Sequence, residues 1–327
     1  MKKRMLVRIR KDSWRIIILI FVIVIGCVTL LITKAAQSSA SIEAEAGIRS
    51  SSVQSIPNDI SASGNSAVRF ASQTVSGEKC QQLSNLKFCD DFDGASGTYP
   101  DNSKWNVFQS GSSWGSHCWK KSPQNIAQDG QGHLKMSIID EGSIQCTDYY
   151  GNPSQLSSAG MDTGGGRFLT NKGKFEIRAK LSCATGVWGS IWTSGTPWPQ
   201  QGEIDIWESM DGNLNRIKHT VHSGLDSSTA EKWKLGQNYT INEQFCDKYR
   251  VYAAEWRDGY IQFMVDGVKT YRVNKSDTPA GKYWAFDTGQ HRLLITLQYG
   301  NAAEGRGLPN PADLPTSMLI DYVRVYN

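Results

Sequence analysis

The pattern of apolar and polar positions changes character twice along the chain. Ile16 to Ile32 is an apolar run of 17 residues, relieved only by Gly26, Cys27 and Thr29, and it follows a block holding Lys2, Lys3, Arg4, Arg8, Arg10, Lys11 and Arg15. That length is at the short end of a bilayer span, and the cations before it favour the cytoplasmic side. The expected arrangement is a cytoplasmic tail (1–15) and a transmembrane signal-anchor (16–33). A cleaved signal peptide is the rival reading, because Ser38-Ser39-Ala40 offers small residues for cleavage. Either way the remainder is exported, membrane-anchored or secreted. Residues 34–79 are rich in Ser, Ala and Gly with Phe70 as their only aromatic, and read as a linker with too little apolar surface to fold.

From Cys80 to Asn327 the pattern becomes that of short strands. Lys174 to Leu181 alternates apolar and polar, as a strand with one buried face does. Tyr249–Trp256, Tyr260–Val265 and Val268–Val273 read as a meander joined at Asp258-Gly259 and Asp266-Gly267, both strong hairpin signals. Met318–Tyr326 reads as a closing strand. No segment sustains a helical period. The expectation is an all-β, two-sheet antiparallel sandwich occupying residues 80–327 as one domain.

Within this domain Gly202-Glu203-Ile204-Asp205-Ile206-Trp207-Glu208 sets three carboxylates among strand-forming residues. Side chains alternate faces along a strand, so Glu203 and Asp205 share a face while Ile204 and Ile206 point into a core. Glu208 lies at an odd interval and would fall on the wrong face. One extra residue in a β-bulge near Ile206 or Trp207 restores it.

The formal net charge of +4 is misleading. Residues 1–34 hold eight of the 35 Lys+Arg and one of the 31 Asp+Glu, leaving 27 basic and 30 acidic residues. No nucleic-acid footprint remains, and a monomer is expected. Six cysteines outside the apolar run suit three disulfides, with Cys80–Cys89 and Cys118–Cys146 as the local pairings. Asn238 and Asn274 lie in glycosylation triplets. His219 and His222 fall on opposite strand faces and lack a third metal ligand.

The Glu-x-Asp-x-x-Glu stretch resembles glycoside hydrolase family 16, the laminarinase-like endo-β-glucanases. Gly173–Lys180, Ala254-Glu255-Trp256 with Ile261–Gly267, and Ile320–Tyr326 are similar to other family segments. So is Gly186-Val187-Trp188-Gly189-Ser190-Ile191-Trp192, where Gly189-Ser190 stands for the family's Pro-Ala. The resemblance covers roughly Phe88 to Asn327. It implies a β-jelly roll of the concanavalin A-like type, with a concave cleft for a polysaccharide. It also implies retaining hydrolysis of internal β-1,3 or mixed β-1,3/1,4 linkages, with Glu203 as nucleophile, Glu208 as general acid/base and Asp205 as auxiliary. Crowded carboxylates raise at least one proton affinity, from which a bell-shaped pH profile with an acidic optimum is expected. Trp188, Trp192 and Trp207 are the expected sugar platforms, with Trp114 and Trp119 more distant; Trp105 and Trp256 are left to the core or rim. His222 and Arg178 are expected to contact sugar or a carboxylate. No cofactor is required, although some relatives hold a structural calcium through the acid corresponding to Asp321. Alternatives are a cell-wall transglycosylase of the same fold and a non-catalytic glucan-binding receptor, the latter typically lacking the paired glutamates.

Overall fold

The computed structural model describes residues 53–57, 66–70, 79–111, 115–209, 214–300 and 310–327. The apolar run 16–32, the tail before it and Trp114 lie outside these residues. Among the described residues no helix is long and apolar enough to cross a membrane. The chain divides into two units, Met1–Gly77 and Glu78–Asn327. In the first, Val53–Pro57 pairs antiparallel with Ser66–Phe70. This small ladder was not expected of the linker.

The second unit is an all-β sandwich of jelly-roll type. Its main strands are β1 (Leu134–Asp140), β2 (Leu156–Asp162), β3 (Gly173–Lys180), β4 (Val187–Gly195), β5 (Glu203–Ser209) and β6 (Arg216–Ser223). They continue with β7 (Trp233–Thr240), β8 (Arg250–Arg257), β9 (Tyr260–Val265), β10 (Val268–Asn274), β11 (His291–Tyr299) and β12 (Thr316–Tyr326). Hydrogen bonding joins them in the order β7-β6-β5-β4-β11-β2-β1-β12-β3-β8-β9-β10. The path folds back so that its halves face each other. Trp207 on β5 meets Tyr252 on β8 with ring centroids 5.6 Å apart, and His219 on β6 stacks on Phe263 of β9 at 4.8 Å. The short Cys118–Trp119 strand joins β2 in parallel, a departure from the all-antiparallel expectation.

Alternation explains the layering. Along β3, Phe175, Ile177 and Ala179 are fully buried, while Lys174, Glu176 and Arg178 remain partly exposed. Each large apolar side chain so buried contributes roughly 1.5–3 kcal/mol. Helical structure among the described residues is confined to short 3-10 turns such as Cys80–Gln82 and Ala285–Asp287. The two local disulfides form as expected, and a third joins Cys183 to Cys246 across 63 positions. Closing a loop of that length removes about 4 kcal/mol of unfolded-state entropy.

β5 carries the expected bulge. Against β6, Asp205 pairs with Thr220 but Glu208 pairs with Lys218, so three steps on one strand match two on the other. Ile206 and Trp207 both turn into the core, and Glu208 returns to the face of Glu203 and Asp205. Trp207 is therefore not a sugar platform: it is 1% exposed and packs between the layers. Gly189 on β4 makes room for it, since a β-carbon there would stand 2.5 Å from the Trp207 ring.

A bulge interrupts the ladder, and the Ile206 carbonyl finds its partner in a side chain. The Nδ1 of His219 lies 2.7 Å from that oxygen, and its Nε2 lies 2.9 Å from the Thr270 hydroxyl. A carbonyl only accepts, so Nδ1 carries the proton and Nε2 accepts from Thr270. Burial pushes His219 down to about 4, so it stays neutral across the physiological range. Replacing it with Phe keeps the stack but leaves the carbonyl unpaired. His219→Phe is expected to lower stability by about 1–3 kcal/mol, read as a lower urea midpoint, equally at pH 5.5 and pH 8.

Candidate active site

The cross-strand register assembles one polar face. Glu203 lies opposite Ser194 on β4 and His222 on β6; Asp205 lies opposite Trp192 and Thr220; Glu208 lies opposite Ser190 and Lys218. Gln298 on β11 is level with Trp188, and Lys234 on β7 is level with His222. Nearly all of these line a cavity of about 480 Å³, with Trp198, Lys232 and Trp233 at its side. Beyond Trp192 a second hollow of about 620 Å³ continues the groove past Phe108, Trp119 and Arg292.

The indole Nε1 of Trp188 donates to Glu208 Oε1 at 3.1 Å, and that of Trp192 donates to Thr296 at 3.2 Å. His222 Nε2 stands 3.2 Å from Asp205 Oδ2 and 3.6 Å from Glu203 Oε1. Ligand atoms of Glu203, Asp205 and His222 lie within 4.8 Å of one another, close enough to share a cation. The same closeness lets protons take that place. Burial first, then the charge of Asp205, pushes the Glu203 carboxyl up to about 8; His222 pulls the other way. Burial and the charge of Glu208 hold Asp205 well above the usual carboxylate range, opposed by Lys218 and Lys234. Burial lowers His222, against the pull of Glu203 and Glu208. So much negative charge is not stable on one buried face, and the cluster retains protons into the neutral range.

Of the residues expected from the sequence, Glu203, Asp205, Glu208, Trp188, Trp192 and His222 meet here. Trp207 does not, for the reason given above. Arg178 does not either: it sits on β3, paired with Asp321 and placed over the Tyr249 ring at 4.7 Å. There Asp321 gives one carboxylate oxygen to the Arg178 guanidinium. Trp119 is buried beside the second hollow, and Trp105 and Trp256 belong to the core. Sequence reading missed Trp198, Lys218, Lys232 and Lys234. Strand parity could have found one of them, since Lys218 shares the face of Thr220 and His222.

The family model for glycosyl hydrolases family 16 matches residues 97–323. A Rhodothermus marinus protein described as a beta-glucanase is 31% identical over 255 residues, which cover 74% of this chain and 84% of that one. The Niallia circulans glucan endo-1,3-beta-glucosidase A1 is 29% identical over 267 residues, covering 74% of this chain and only 38% of that protein. The chain thus spans well under half of that relative. The laminarinase catalytic domain of Thermotoga maritima superposes with a TM-score of 0.62 at 28% identity, covering 74% of this chain and 97% of that one.

The raised proton affinity of Glu203 has a consequence for stability. Its unfolded value is the ordinary 4.5 of a glutamate and its folded value about 8, so the folded state binds the proton more tightly. That contribution is full below the unfolded value and is lost as pH rises towards 8. Glu203→Gln is therefore expected to stabilise the domain more at pH 8 than at pH 5, by roughly 3 kcal/mol. Differential scanning calorimetry at the two pH values checks this.

Proposed function

Because the chain belongs to glycosyl hydrolase family 16, we propose that it is a retaining endo-β-glucanase acting on internal β-1,3 or mixed β-1,3/1,4 linkages. The observation that carries this reading is the return of Glu208 to the face of Glu203 in a cleft flanked by Trp188, Trp192 and Trp198. Relatives named as β-glucanases and laminarinases support the substrate class.

In this reading Glu208 protonates the departing glycosidic oxygen, held in aim by the Trp188 indole. Ionised Glu203 attacks the anomeric carbon from the opposite side, giving a glycosyl-enzyme and releasing the chain beyond the cut. Glu208, now a base, takes a proton from water, which displaces Glu203 and returns it to its ionised form. The charge of Asp205 raises the proton affinity of Glu203, so the two hold a proton between them until Glu203 ionises for attack. The indole faces pack on the apolar faces of sugars, and His222, Thr220 and Gln298 offer polar groups to hydroxyls. Calcium has no role in these steps.

The three disulfides suit an exported domain, and the apolar stretch 16–33 would hold it at the outer membrane face. Both glutamates are present, which favours the enzyme over the binding-only alternative.

Glu203→Gln is expected to reduce reducing-end release from laminarin by at least about a thousandfold while leaving the polysaccharide bound in affinity electrophoresis. Undiminished release would overturn the assignment. The pH profile carries a further signature. Glu203 must be ionised to attack, so its raised proton affinity moves the ascending limb from the acidic range towards neutrality. Asp205→Asn removes a charge that raises Glu203, so the ascending limb of kcat/KM should move to lower pH by roughly one unit.

A further inference from the structure

The cleft is lined by three lysines that the reaction as derived does not use. Lys218 projects from β6 beside Glu208; Lys232 and Lys234 flank Trp233 on the strand next to it and at its approach. Among the described residues none of the three is in an ion pair, whereas many surface cations are, including Lys120 with Glu141 and Lys275 with Asp287. Gly236 leaves space for the Lys218 stem, since a β-carbon there would lie 3.2 Å from Lys218 Cε. Lys232 Nζ stands 5.8 Å from the centre of the Trp198 ring, and that ring stands 6.5 Å from the His222 ring. An aromatic platform and an unpaired ammonium group therefore sit side by side at one end of the cleft.

Ser190, Thr220 and Gln298 already line the cleft with polar groups suited to neutral hydroxyls, and an ammonium group adds a charge that an anionic substituent engages more strongly than a hydroxyl does. A structural explanation, that the lysines merely offset the carboxylates, accounts for part of the field: Lys218 and Lys234 do act on Asp205. Lys232 is not among the groups acting on Asp205 or His222, yet it lines the cavity beside Trp198. The cavity lining sets three lysines against Glu203, Asp205 and Glu208, and the protons that the crowded carboxyls retain tip that balance to positive.

We propose that the cleft selects β-glycan chains bearing anionic substituents, sulfate or carboxylate, with one sugar on Trp198 and its anionic group between Lys232 and Lys234. A second anionic group further along the chain would meet Lys218. This rests on the glycanase reading of the site and names the substrate class for it. The bond cleaved and the roles of Glu203 and Glu208 stay as described.

The test measures binding separately from turnover. Full-length Glu203→Gln protein is titrated with laminarin, sulfated laminarin and carboxymethylated laminarin of matched length, at low and at high sodium chloride. The proposal expects the charged chains to bind about tenfold tighter at low salt, with the advantage lost in high salt. Neutral laminarin should displace them, which places them in the cleft rather than on the basic tail. Adding Lys232→Ala and Lys234→Ala should bring the charged-to-neutral affinity ratio close to one, and Lys232→Arg with Lys234→Arg should retain it. Preference for sulfated over carboxymethylated chains, or the reverse, identifies the anionic group. Equal or weaker binding of both charged chains, a preference untouched by the alanine pair, or charged chains that neutral laminarin does not displace would each overturn the proposal. Turnover by the wild-type protein is scored in parallel on the same three chains. Cleavage of laminarin without any charged preference sinks only the present inference. A charged preference with no cleavage of any chain sinks the hydrolase reading instead.

Discussion

The hydrogen bond from His219 to the Ile206 carbonyl holds together the feature on which the site depends. A strand places every second side chain on one face, and Glu203 and Glu208 are five positions apart. Only an inserted residue brings both to the cleft, and inserting one frees a backbone carbonyl in the interior. An unpaired buried carbonyl would cost about 1–3 kcal/mol. His219 satisfies it from the neighbouring strand, its ring stacked on Phe263 and its second nitrogen held by Thr270. Ile206 and Trp207, turned inward together, fill the space between the layers. Gly189 gives way to the indole on the strand alongside. Gly189, standing where the resemblance has Pro, thus has a packing reason.

The same geometry creates the electrostatic tension that catalysis uses. Three carboxyls on one poorly solvated face cannot all be ionised, so burial and mutual repulsion raise Asp205 and Glu203. The face is less stable than an apolar one would be at neutral pH, and more reactive for that reason. His222 and the lysines of β6 and β7 temper the field from one side only, and this asymmetry distinguishes the two ends of the cleft. Trp198 with Lys232 marks one end; Trp192 with the hollow beyond it marks the other.

Much of this was legible in the sequence because it depends on local pattern. The meander of β8, β9 and β10 followed from two Asp-Gly turns, and no observed boundary differs from the expected one by more than a residue. The bulge followed from an odd interval between acids. What was not legible depends on which layer a side chain meets. Trp207 looked like a platform because it adjoins the acids, but a bulge turns two successive residues inward. Arg178 alternates with core residues as a cleft residue would, yet its strand lies on a different part of the sandwich, where Asp321 pairs with it. Lys232 and Lys234 gave no local signal at all. Their position beside Trp198 comes from the pairing of β7 with β6 and from the loop before β5, contacts made across roughly thirty positions.

Glu203 and Glu208 share one face of one strand, which suits the close carboxyl pair of a double displacement rather than the wider pair of a single one. Proton NMR of laminarin hydrolysis, followed from the first turnovers before mutarotation, reads the configuration of the new reducing end. The β-anomer should appear first, with the α-anomer growing in only as equilibrium is reached. Initial release of the α-anomer would mean inversion and would contradict a double displacement.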